Sequence, residues 1–154
     1  MSTRFAGEQS RYPGMPVAEQ LVWRAFLQVH GAEYDRFDYN VRLGAGVTPP
    51  EEIIEPWRSA SIAASKPRAD AIGWQGTTPT IFEIERYAKS DALGQILHYR
   101  DVWEAENTTA TSPVLAIVCS DHTPALDISL EAHGIALYTV PTDFSSLVPP
   151  RLKS

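Results

Sequence analysis

The stretch from Arg68 to Tyr99, RADAIGWQGTTPTIFEIERYAKSDALGQILHY, leaves this chain few ways to fold. Two short segments, Arg68 to Trp74 and Thr80 to Arg86, have the alternating apolar pattern of strands, and Gln75 to Pro79 joins them as a Gly- and Thr-containing hairpin connection. Ser90 supplies an N-cap and Asp91 a first-turn acid, which predicts a helix running to about Glu106. Carboxylates punctuate both strands. Side chains alternate along a strand, so Glu83 and Glu85 share one face with Ile81, while Phe82 and Ile84 take the other. Asp70 shares a face with Arg68, Ile72 and Trp74. If the strands pair, Asp70 and Glu83 converge across the ladder.

The flanking sequence supplies the remaining layers. Residues 1–15 are polar and turn-rich and read as an extended N-terminal arm. Pro16 opens a helix from Val17 to His30, with Gly31 as its stop and Leu21, Val22, Ala25, Phe26 and Val29 as the apolar stripe. Phe37 to Leu43 reads as a first strand with Phe37, Tyr39, Val41 and Leu43 on one face. The stretch Gly44 to Pro67 is broken by Pro49, Pro50, Pro56 and Pro67, leaving room for a short helix over Ser59 to Ser65. After a polar loop, Asn107 to Ser112, the apolar run Val114 to Cys119 predicts a buried parallel strand. Thr123 and Pro124 cap another helix that Gly134 ends, and Ile135 to Val140 is a last strand. Residues 141–154 read as an extended tail. Antiparallel strands feeding a βαβ crossover predict an α/β fold, a mixed β-sheet flanked by helices, in one domain over residues 16–140.

Composition narrows the classes of function. A chain of 154 residues with 44% hydrophobic and 21% charged residues fits one globular domain. No apolar run reaches membrane-spanning length and the N-terminus lacks an apolar signal core, so a cytoplasmic protein without a membrane partner is expected. The single Cys119, inside VLAIVCS, reads as a buried thiol and excludes a disulfide framework within the chain. The net charge of −6 opposes strong non-specific binding to nucleic acid unless bound cations offset it.

Acids on neighbouring strands rarely help folding, although alternating Glu residues also occur on solvated sheet faces. Asp70, Glu83, a backbone carbonyl near Ile84 and water together form a hard oxygen set suited to Mg²⁺ or Mn²⁺. Such a cation polarises a phosphoryl oxygen and acidifies bound water, which is phosphodiester chemistry. Gln95 and Tyr99, four apart on the following helix, stack on one face. His98 is offset from them by about 100° and reads as structural. His30, His122 and His133 fall at helix ends or loops, and the four tryptophans read as core or interface residues. The sequence contains no Gly-rich phosphate loop, CxxC pair or GxSxG elbow.

The element order and the acids resemble the PD-(D/E)XK nuclease superfamily, with its restriction-endonuclease-like αβββαβ core, over about residues 16–140. Asp70 matches the first acid of the motif and Glu83 the second. Gln95-Ile-Leu-His-Tyr99 is similar to the QxxxY element of the RecB-like branch, and Glu19 on the first helix matches an acid that many members place near the metals. The resemblance implies Asp70, Glu83 and Glu19 as metal ligands and Gln95 and Tyr99 as substrate-positioning residues. The motif lysine is Glu85 here. That lysine orients or activates the attacking water, and some members carry Glu there and still cut. Arg86 would point to the other face, whereas Lys89 begins the connection to the helix and could reach back.

Two functions follow as expectations. One is a metal-dependent nuclease that hydrolyses DNA, with Asp70, Glu83, Glu85 and Lys89 as catalytic residues and Mg²⁺ or Mn²⁺ as cofactor. The other is an inactive nuclease-fold structural or assembly protein of a phage virion or mobile element. The missing lysine, the acidic balance and terminal arms able to lace onto protein neighbours or onto copies of the chain favour the second.

Overall fold

The computed structural model describes residue 9, residues 11–108 and residues 111–147. Its architecture is a five-stranded mixed sheet with helices on both faces. The strands are β1 (Arg36–Arg42), β2 (Arg68–Gln75), β3 (Thr78–Ala88), β4 (Val114–His122) and β5 (Ala136–Thr139), lying side by side in chain order. β1, β2 and β3 are antiparallel neighbours, while β3, β4 and β5 run parallel. The helices are α1 (Val17–His30), α2 (Trp57–Ser65), α3 (Ser90–Glu106) and α4 (Leu126–Ala132). This is the α/β fold expected from the element order.

Two apolar clusters lie on opposite sides of the sheet. Beneath α1, Trp23, Phe26, Phe37 and Phe82 interlock with ring centroids 5.0–6.2 Å apart. The Trp23 indole N–H donates to the Tyr39 hydroxyl at 3.0 Å, so this fully buried ring leaves no donor unsatisfied. Gly73 sits under the aromatic rings of Tyr34, Phe37 and Phe82, where a Cβ would come within 2.7–3.0 Å of each. On the other side, Ala92, Ile96 and Tyr99 of α3 and Leu126 and Leu130 of α4 pack on Ile72, Ile81, Leu115, Ile117 and Cys119.

Several local expectations need correction. The buried stripe of α1 is Val22, Trp23, Phe26 and Leu27, whereas Val29 is exposed. β1 does not keep one face inward: Phe37 and Tyr39 join the α1 cluster, but Val41 and Leu43 join the α3 cluster. Between them Asn40 has φ +51, and this left-handed residue breaks the strand alternation. The hairpin turn is shorter than expected because Gln75 pairs with Thr78, and Gly76 supplies the positive φ of +61. Trp57 is 70% exposed, so it is not a core residue.

The inner ends of both terminal segments are anchored. Tyr12 is fully buried and Met15 nearly so, both within the α1 cluster, and Phe144 packs against that cluster. Residues 1–8, 10 and 148–154 of the expected arms lie outside the described residues.

Candidate active site

The site forms where two strands part. β2 and β3 pair from Gln75↔Thr78 to Ala71↔Phe82, and the recorded ladder ends there. β3 continues alongside β4 as far as Ala88↔His122, so β3 stays supported while β2 peels away. At the opening, Oδ2 of Asp70 accepts the Ile84 N–H at 2.9 Å. The carboxylate takes the place of a strand carbonyl and is thereby held toward β3. An extended residue projects its N–H and C=O to the same side, so the Ile84 carbonyl faces the same opening.

Glu83 is the most deeply placed acid, with 5% of its surface exposed. Its carboxyl pKa is pushed far up by burial first, then by the charges of Asp70 and Glu85, while the Tyr99 hydroxyl pulls it the other way. The Glu83 Oε2 is buried without a hydrogen-bond partner. Asp70 is also raised, by burial and by Glu85, with the Ile84 N–H opposing. Glu19, half-buried at the start of α1, is raised to about 7 by burial and then by Asp70 and Glu85. Glu85 is raised chiefly by burial and also by Asp91, while Glu83 and the Lys89 ammonium act against that rise. Tyr99, on the inner face of α3, has its hydroxyl pKa raised by burial and then by Glu83, Asp70 and Glu85.

Thus Glu19, Asp70, Glu83, Glu85 and Tyr99 form one electrostatic group, drawn from α1, β2, β3 and α3. Lys89 stands at its rim beside Glu85 and is exposed. Gln95 lies one turn before Tyr99 but is exposed rather than among the acids. Arg86 is turned away, its guanidinium 4.3 Å from the centre of the Phe144 ring. Asp91, in the first turn of α3, is an addition to the group, since its charge raises the Glu85 carboxyl pKa. Its place six residues after Glu85 was the available clue.

The donors suit a hard divalent cation. They are carboxylate oxygens, one of them buried and unpartnered, in a cluster whose own repulsion favours taking up positive charge. Among the described residues, no group of three or more His, Cys, Asp or Glu side chains is placed to hold a metal ion, so these acids offer donors rather than a formed metal site.

No protein-family model matches the chain, and no curated protein matches it. Solved structures do share its fold. A repair endonuclease from Pyrococcus abyssi superposes over 84% of this chain and 50% of its own, with TM-score 0.54 and 15% identity. An EndoMS–dsDNA complex superposes over 89% of this chain and 50% of its own, with TM-score 0.52 and 14% identity. The chain therefore spans about half the length of these proteins, and the likeness is one of fold. Among the described residues, no helix is long and apolar enough to cross a membrane.

Proposed function

We propose that this chain is a divalent-metal-dependent nuclease that hydrolyses DNA phosphodiester bonds at the Asp70–Glu83 opening. The observation that carries the reading is the buried, unpartnered Glu83 oxygen beside Asp70, in a fold shared with a repair endonuclease. Burying several acids together is costly without a compensating cation. DNA is the proposed substrate because EndoMS, of similar fold, forms a dsDNA complex.

Asp70, Glu83 and Glu19 would hold Mg²⁺ or Mn²⁺, with the Ile84 carbonyl as a further oxygen. When bound, such an ion polarises the phosphoryl oxygen and makes water a better nucleophile. Glu85 stands where the resemblance expects lysine, and in this reading its carboxylate accepts the proton of the attacking water. Lys89 offsets negative charge on the phosphate from the rim. The Tyr99 hydroxyl, which acts to lower the Glu83 carboxyl pKa, would orient that carboxylate, and Gln95, exposed on the same helix, would contact the strand beyond the reacting phosphate.

Supercoiled plasmid and linear DNA incubated with Mn²⁺ or Mg²⁺ test this reading against an Asp70→Ala, Glu83→Ala double variant. Cleavage by the parent alone supports it. Silence of the parent across metals and pH overturns it and favours an inactive assembly role, for which the Glu at position 85 is the supporting feature.

A further inference from the structure

A cavity beside the acids shares only Lys89 with the reading above. It has a volume of about 400 Å³ and lies between the start of α3 and the β4–α4 turn. Its lining divides by chemistry. Leu93, Ala125 and Leu126 give it apolar surface, with Leu126 buried beneath, Ser90, Thr123 and Ser129 bring hydroxyls, and Lys89 brings the one cationic side chain. The walls are tied in place: the Thr123 N–H donates to the Ala88 carbonyl at 3.0 Å, and the Leu126 N–H to the Thr123 carbonyl at 3.0 Å. His122 braces the same turn through Nε2 and Asp127 Oδ1 at 2.8 Å.

Lys89 links this cavity to the acid group, since its ammonium acts on the Glu85 carboxylate. Lys89 directly follows β3, four residues after Glu85, so an anionic end held by it would sit at the end of the strand that carries the acids. The volume falls in the range of small-molecule pockets, and an apolar surface edged by a few polar groups suits a flat heteroaromatic ring. A base still paired in a duplex cannot enter such a recess.

We propose that this cavity is a subsite for one unpaired nucleotide, its base against Leu93 and Leu126 and its phosphate at Lys89. The proposal rests on the nuclease reading for its substrate class. In consequence the preferred DNA would carry an unpaired nucleotide next to the phosphodiester that is cut. The hydroxyls of Ser90, Thr123 and Ser129 can each donate or accept, so the subsite would accept more than one base.

Titrating the metal-free protein with deoxythymidine monophosphate, thymidine and inorganic phosphate, followed by amide NMR, tests this without any cleavage. The expected result is shifts at residues 89–93 and 123–129 with the nucleotide, and at least about tenfold weaker binding of thymidine and of phosphate. Ser129→Trp, which fills the recess from its rim, should abolish the shifts, and Ala125→Trp serves if the first variant does not fold. A single-stranded oligonucleotide should shift the same amides, whereas a blunt, closed duplex should not. No shifts at these amides up to about 10 mM nucleotide overturn the proposal. Equal binding of phosphate alone, or nucleotide binding unchanged in a folded Trp variant, also overturns it. Cleavage without these shifts defeats the subsite and spares the nuclease reading; the shifts without cleavage do the reverse.

Discussion

The two faces of the sheet solve different problems with the same strands. Under α1 the sheet carries Phe37, Phe82 and Ile84 against Trp23 and Phe26, an apolar and aromatic layer whose buried indole donor is satisfied. Under α3 the apolar layer gives way at one end to Asp70, Glu83 and Glu85. Adjacent residues on β3 show the contrast best. Phe82 and Ile84 fill the first face, while Glu83 between them enters the second nearly as deeply buried. One face holds the fold together, and the other keeps a cluster that opposes folding, joined only by Glu19 from the start of α1. Packing does not reward acids at such depth, which is why the proposed function is placed there.

Exchanging the roles of the faces should therefore give opposite phenotypes. The largest effect is expected from Asp70→Asn or Glu83→Gln, each lowering DNA cleavage by at least about 1000-fold, or about 4 kcal/mol of barrier. Both should leave denaturant stability unchanged or raised. A loss of stability as large as the loss of activity would dissolve the contrast. Trp23→Ala should do the reverse, removing about 3–5 kcal/mol of stability in a urea melt without touching an acid.

The pH dependence sharpens the comparison. Asp70, Glu83, Glu85 and Glu19 all have raised carboxyl pKa values, Glu19 to about 7, so the folded chain holds more protons than the unfolded one above ordinary carboxylate pKa values. Their stability contribution is therefore complete in acid and is lost as pH rises through the folded values. The metal-free melting temperature should fall between about pH 5 and about pH 8, and Mn²⁺ should restore more of it at the higher pH. In the Glu19→Gln variant the fall near neutrality should shrink. The smallest effect is expected from Tyr99→Phe, which removes the hydroxyl acting on Glu83. Cleavage should drop about tenfold while stability changes by less than about 1 kcal/mol.

Period and punctuation made the order of elements along the chain and the mixed sheet readable in the sequence. The continuous run Val114 to Cys119 announced a parallel strand, and the acids of Arg68 to Tyr99 announced where the faces differ. What stayed hidden depended on single backbone torsions and on tertiary neighbours. Asn adopts a positive φ more readily than most residues, but the type alone does not say that Asn40 will do so and turn Val41 to the other side. The α1 stripe runs one position later than expected, through Trp23 and Leu27 instead of Leu21, Ala25 and Val29, and the buried Trp23 N–H is satisfied by Tyr39 from another element. Gln95 and Tyr99 share a helix face by spacing, yet the sheet covers only Tyr99. Asp91 joined the acid group through its charge acting on Glu85, for which its place six residues further on was the one clue in the sequence.

Calorimetric titration of Mn²⁺ into the parent chain and into the Asp70→Asn, Glu83→Gln double variant addresses the heart of the matter. If parted strands create a cation site, the parent should bind saturably, releasing protons in an amount seen by changing the buffer, and the variant should lose both signals. Equal binding by the two proteins, or none by the parent, would contradict a cation role for these buried acids.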